Sequence, residues 1–164
     1  SLPVNMLPAF AGWFIEEGQS LALIASDEEQ LATAMAHLVR IALDNVVGGY
    51  VGVVPAAAKG EQMQQTPMIN TSEVEDRLTE AENWTLLDVR DIDERNANAI
   101  EGSNHIYVGH LNERWHELDQ NRHYTLMCAS GARATIAAGW LASRGFEHID
   151  IYLGSMGAWQ AAHD

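Results

Sequence analysis

One ten-residue stretch constrains the fold more than any other: Tyr124-Thr125-Leu126-Met127-Cys128-Ala129-Ser130-Gly131-Ala132-Arg133. An apolar run ends in the chain's only cysteine, a short loop of small residues follows, and a helix-period segment runs from about Ala132 to Arg144. The pattern predicts a strand that delivers a thiol to a tight turn at the N-terminus of a helix. Backbone N–H groups converge in such a turn, which therefore binds anions and lowers a thiol pKa.

The rest of the chain supplies the surroundings. Phe10, Trp13, Phe14 and Ile15 suggest an amphipathic turn or short helix, ended by Glu16-Glu17-Gly18. Leu21 to Ala25 reads as a buried strand. Ser26 or Asp27 then caps a helix whose inward face is Leu31, Ala34, Met35, Leu38, Val39 and Ala42. Asn45-Val46-Val47 reads as a strand closed by Gly48-Gly49. From Pro55 to about Pro67 the composition turns to Ala, Gln, Gly and Pro, as in a linker.

Ser72-Glu73-Val74-Glu75 has the form of a capping box, with Val74, Leu78 and Ala81 along one helical face. Trp84 to Arg90 reads as a buried strand ending in charge, and Asp91 to Ala99 as a polar helix. His105 to Val108 is a weaker strand, and Leu111 to Gln120 a helix with Leu111, Trp115 and Leu118 inward. Ile149 to Leu153 is a last strand, and Gly154 to Ala162 a terminal turn or helix. Strands alternating with helices predict a mostly parallel α/β sheet. Ligands of such sheets bind beyond the carboxyl ends of the strands, where Cys128 and Asp88-Val89-Arg90 both fall.

Charge and composition exclude several function classes. The net charge is −14 and Lys59 is the only lysine, so the surface repels phosphate backbones and nucleic acid is not an expected partner. No apolar run approaches the ~20 residues of a membrane span, and no secretory signal opens the chain. A lone cysteine excludes an internal disulfide and fits a reducing, cytoplasmic setting. The seven histidines show no metal-ligand spacing, so neither metal nor cofactor is expected.

An internal repeat appears when the chain is slid on itself by about 103 residues. Leu23-Ile24-Ala25 falls on Leu126-Met127-Cys128, Ala34 on Ala137, Leu38 on Leu141, and Leu43-Asp44-Asn45-Val46 on Phe146-Glu147-His148-Ile149. Ala25 stands where Cys128 stands, and Asp27, Glu28 and Gln30 replace Ser130, Gly131 and Arg133. The first copy thus lacks the nucleophile, the glycine turn and the arginine. Nothing upstream matches Trp84 to Gly109, so it is also a half copy. The expected organisation is residues 1–54 as the C-terminal half of a degenerate, silent unit, 55–67 as a linker, and 68–164 as a complete domain.

Leu87-Asp88-Val89-Arg90, Glu94, the stretch Ile100 to Ile106, the loop Cys128 to Arg133 and Gly145-Phe146 together resemble, in order, a rhodanese domain. The resemblance covers Met68 to the C-terminus. It implies an α/β fold around a five-stranded parallel sheet flanked by helices, preceded here by the partial rhodanese-like unit. It also implies a sulfurtransferase: Cys128 takes sulfane sulfur from a persulfide or thiosulfate as a cysteine persulfide, and passes it to sulfite, cyanide or a thiol. Cys128 and Arg133 would be catalytic, while Ala129, Ser130, Gly131, Ala132, Asp88 and Arg90 would contact the persulfide or the substrate, with a structural ion pair or loop anchors as the other reading of Asp88 and Arg90. The run from Cys128 to Ala138 is similar to rhodanese modules fused behind metallo-β-lactamase-type persulfide dioxygenases. That likeness implies a fused or associated domain of this type, with a homodimer as a further expectation.

The sequence departs from the family in two places. The usual Gly-His-Ile-Pro-Gly is Asn98-Ala99-Ile100-Glu101-Gly102, which implies a changed loop. The cysteine loop lacks the extra basic residue of thiosulfate-using members, which favours a small persulfide such as glutathione persulfide as donor. Two other classes compete. A non-catalytic rhodanese-like module could bind or regulate a larger enzyme. A phosphatase of the related fold needs five residues between cysteine and arginine, and only four separate Cys128 from Arg133.

Overall fold

The computed structural model describes residues 2–52 and 65–164. Of the expected linker, residues 55–64 lie outside the described residues. The chain divides into two compact units, Leu2–Gln65 and Thr66–Asp164.

In the first unit a short 3-10 turn (Val4–Met6) leads into α1 (Leu7–Phe14), followed by β1 (Leu21–Ala25), α2 (Glu28–Arg40) and β2 (Val46–Val51). Pro8 sits in the first turn of α1, where a missing N–H costs little. Asp27 caps α2, its carboxylate accepting the Gln30 N–H at 2.7 Å. β1 and β2 pair in parallel. Leu7, Ala11, Ala34, Leu38 and Leu43 form the core.

The buried face of α2 is narrower than its periodicity suggests, for Met35 and Val39 are exposed and Ala42 lies past the helix with φ +59°. β1 is not buried on both faces, since Ile24 is 51% exposed. β2 runs through Gly48-Gly49 instead of ending there. At Gly49 the Leu31 side chain of α2 comes within 3.0 Å of where a Cβ would stand, so glycine serves close packing within the strand.

The second unit holds β3 (Met68–Ile69), α3 (Thr71–Glu80), β4 (Trp84–Asp88), α4 (Ile92–Ala97), β5 (Asn104–His105), α5 (Leu111–Arg114), β6 (His123–Met127), α6 (Ala132–Ser143), β7 (Ile149–Tyr152) and α7 (Ser155–His163). Its five strands are all parallel, in the order β3-β7-β6-β4-β5, flanked by helices. One core cluster joins Ile69, Val74, Leu86, Ile100, Met127, Tyr152 and Met156. The central strands are buried along their length, which parallel strands covered on both faces require.

Three expectations shift here. The capping box is Asn70 with Glu73, because the chain leaves the sheet at Ile69 and Asn70 is the first residue free to cap. The strand expected over His105–Val108 keeps only Asn104–His105, and Val108–His110 turns into a 3-10 helix. The helix expected over 111–120 ends at Arg114 and continues as a 3-10 turn, Trp115–Glu117. The Tyr124 hydroxyl then accepts the Asp119 N–H and holds the chain extended into β6.

The 103-residue offset recurs in one strand pair of each sheet. The β1–β2 pair Leu21–Val46 lies 103 residues before the β6–β7 pair Tyr124–Ile149. A bulge after Leu21 then inserts one residue in β2, so Leu23 pairs with Gly49 while Leu126 pairs with Ile151. Beyond that point Tyr50-Val51-Gly52 corresponds to Tyr152-Leu153-Gly154, and both glycines have positive φ, +83° and +77°.

Candidate functional site

β4 and β6 lie side by side, and both end at the same edge of the sheet. β6 stops at Met127 because the next residues turn into α6, and Gly131, with φ +108°, makes that turn as the N-cap residue. The turn points the Gly131 N–H at the Cys128 sulfur, 3.1 Å away. Cys128 is buried, with 1% exposure, whereas Ala129 and Ser130 are exposed and Gly131, Ala132 and Arg133 are half-buried.

The loop rests on the start of α7. The Cys128 N–H donates to Ser155 Oγ at 3.1 Å, and that hydroxyl donates to the Tyr152 carbonyl. The Cys128 and Ala129 carbonyls accept the N–H groups of Met156 and Gly157, each at 3.0 Å. A side chain at Gly157 would come within 3.4 Å of the Ala129 carbonyl, so a small residue keeps this contact close. Ser155 and Gly157 were not expected at the site. Their signal in the sequence is only a glycine and a serine between a strand and a helix.

Arg133 closes the loop against α4. Its guanidinium forms two bonds to Glu94, at 2.5 and 2.7 Å, with Asp91 at 3.9 Å. The bonds to Glu94 raise the Arg133 pKa above its ordinary value. Glu94 also completes the capping box of α4 with Asp91, whose carboxyl is held below its usual range chiefly by the Glu94 N–H.

Asp88 and Arg90, read from the sequence as a structural ion pair or loop anchors or else as substrate contacts, form a buried ion pair with each other. Asp88 is wholly inaccessible, and its carboxylate accepts the Arg90 N–H, Nε and Nη2 at 3.0, 3.0 and 2.6 Å. Arg90 also donates to the Asn98 side chain and carbonyl, each at 2.8 Å, which anchors the changed loop after α4. A pocket of about 260 Å³ opens beside Ala129, lined by Arg90, Glu94, Asn98, Met156 and Gln160 among others. Among the described residues no group of three or more His, Cys, Asp or Glu is placed to hold a metal ion, and no helix is long and apolar enough to cross a membrane.

A buried thiol that accepts the Gly131 N–H can attack an electrophilic sulfur, and that donor can help hold the anion that results. The Rhodanese-like domain model matches residues 70–162. The candidate sulfur carrier protein YrkF of Bacillus subtilis (strain 168) is 29% identical over 99 residues, 60% of this chain and 54% of YrkF. The chain thus spans about half the length of that relative. The candidate sulfurtransferase YtwF of the same organism is 29% identical over 92 residues, 56% of this chain and 88% of YtwF. A crystal structure of a rhodanese-related protein from Thermoplasma volcanium matches with a TM-score of 0.54 and 27% identity, covering 58% of this chain and 92% of that one.

Proposed function

Because the chain belongs to the rhodanese-like domain family, we propose that it is a sulfurtransferase whose Cys128 carries sulfane sulfur between a small donor and a thiophilic acceptor. The carrying observation is the Gly131 N–H aimed at the Cys128 sulfur inside the matched region. In this reading the Cys128 thiolate attacks the outer sulfur of a persulfide, or the sulfane sulfur of thiosulfate. The sulfur–sulfur bond of the donor breaks and its electron pair leaves on the donor thiolate or on sulfite. The new Cys128 persulfide sits under the loop N–H groups until sulfite, cyanide or a thiol takes the outer sulfur and restores the thiolate.

Ala129, Ser130, Gly131 and Ala132 hold the persulfide through their backbone, and Arg133 fixes the loop through Glu94. Asp88 and Arg90 act beneath the site by anchoring Asn98. The first unit, residues 1–54, is proposed as the silent half copy. A metallo-β-lactamase-type domain, a homodimer and a cytoplasmic setting rest on the sequence alone. The competing reading, a non-catalytic binding or regulatory module, is favoured by no particular residue of the loop.

The test is turnover. With glutathione persulfide and sulfite, the protein is expected to release thiosulfate, and Cys128→Ser to fall to the uncatalysed rate. Equal rates for the two proteins would favour the binding module.

A further inference from the structure

The cations around the pocket are all committed. Arg90 is saturated by Asp88 and Asn98. Arg95, on the same helix as Glu94, bonds the Ser103 hydroxyl and carbonyl and lies 3.6 Å from Asp88. Arg133, the single cation of the cysteine loop, has both Nη atoms on Glu94 and a second carboxylate, Asp91, at 3.9 Å. Glu94 itself lines the pocket. Two carboxylates therefore face one guanidinium, and the loop presents its N–H groups without a net positive side-chain charge.

A donor such as thiosulfate carries its negative charge on the group bonded directly to the transferred sulfur. A thiol persulfide keeps its other charges several bonds away. Coulomb energies at a few ångströms in a half-buried site are large enough to separate these two cases.

We infer that Glu94 is a specificity-determining residue: by neutralising Arg133 it turns the Cys128 loop against sulfur oxyanion donors and towards thiol persulfides. This rests on the sulfur-transfer reading and adds to it a residue that sets the choice of donor. Glu94 touches Arg133, not the reacting sulfur, so it acts through the charge it cancels.

The test is the ratio of kcat/KM for thiosulfate to that for glutathione persulfide, in wild type, E94Q and E94Q/R133Q. Glutamine at position 94 can keep the capping box, because its amide oxygen accepts the same backbone N–H. E94Q frees the Arg133 charge, and the ratio is expected to rise by about tenfold or more. E94Q/R133Q removes both charges, and its ratio is expected within about threefold of wild type, since the sum of the pair is unchanged. Local disorder would lower both donors together and leave the ratio alone.

An unchanged ratio in E94Q overturns the inference, as does a wild type that uses thiosulfate as well as the persulfide. Should E94Q fail to fold, the double variant and the wild-type ratio still decide. A double variant whose ratio departs from wild type by tenfold overturns the inference too. In all these cases sulfur transfer itself would stand. Wild-type protein that takes sulfur from neither donor would sink the underlying reading, and the inference with it.

Discussion

Ser155 supports Cys128 from 27 residues away: its hydroxyl accepts the Cys128 N–H and donates onward to Tyr152. It does so with φ +53°, a left-handed conformation in which serine is strained. Asp88 plays a similar part for the other half of the site, where its buried carboxylate is bonded entirely by Arg90. Removing it leaves a guanidinium that is 3% exposed without its counter-charge. Asp88→Ala is expected to lower stability by about 3–5 kcal/mol in urea denaturation, far more than a surface ion pair would. Cys128 and Gly131 were legible in the sequence because a lone cysteine followed by a glycine turn is a local pattern. Ser155 and the Arg133–Glu94 pair were not, because their partners lie 27 and 39 residues apart and only the sheet order brings them together.

Among the elements, α3 shows how local patterns compete. Both Asn70…Glu73 and Ser72…Glu75 satisfy the capping spacing, and the sequence reading favours the second. The end of β3 at Ile69 decides for the first. Asn70→Ala is therefore expected to cost about 1 kcal/mol, and exposed Ser72→Ala less than about 0.5 kcal/mol, measured by the same thermal or urea melts. The strands and α6 follow from hydrophobic periodicity, since each buries a face against the core. The elements that departed from expectation, Val108–His110 and Trp115–Glu117, are three-residue 3-10 turns, too short for periodicity to encode.

At the scale of the whole molecule, the proposed half copy would give the chain its own control. β1-α2-β2 and β6-α6-β7 share a first strand pair, a helix and the closing Tyr-x-Gly, yet Ala25 stands in place of Cys128. The burial of matched positions differs as well: Met127 and Tyr152 are wholly buried, while their counterparts Ile24 and Tyr50 are 51% and 38% exposed. The proposed repeat rests on a 103-residue offset that could be read directly from the sequence, with Ala25 at the place of Cys128. The bulge that shifts the copies by one residue could not, because it shows only in strand pairing. Sulfur transfer in this chain turns on one atom, the Cys128 sulfur. Intact mass spectrometry after incubation with glutathione persulfide and removal of the donor tests it most directly. A gain of one sulfur atom is expected, lost on adding sulfite and absent from Cys128→Ser. Wild-type protein with no added sulfur, or Cys128→Ser protein with the same gain, would contradict it.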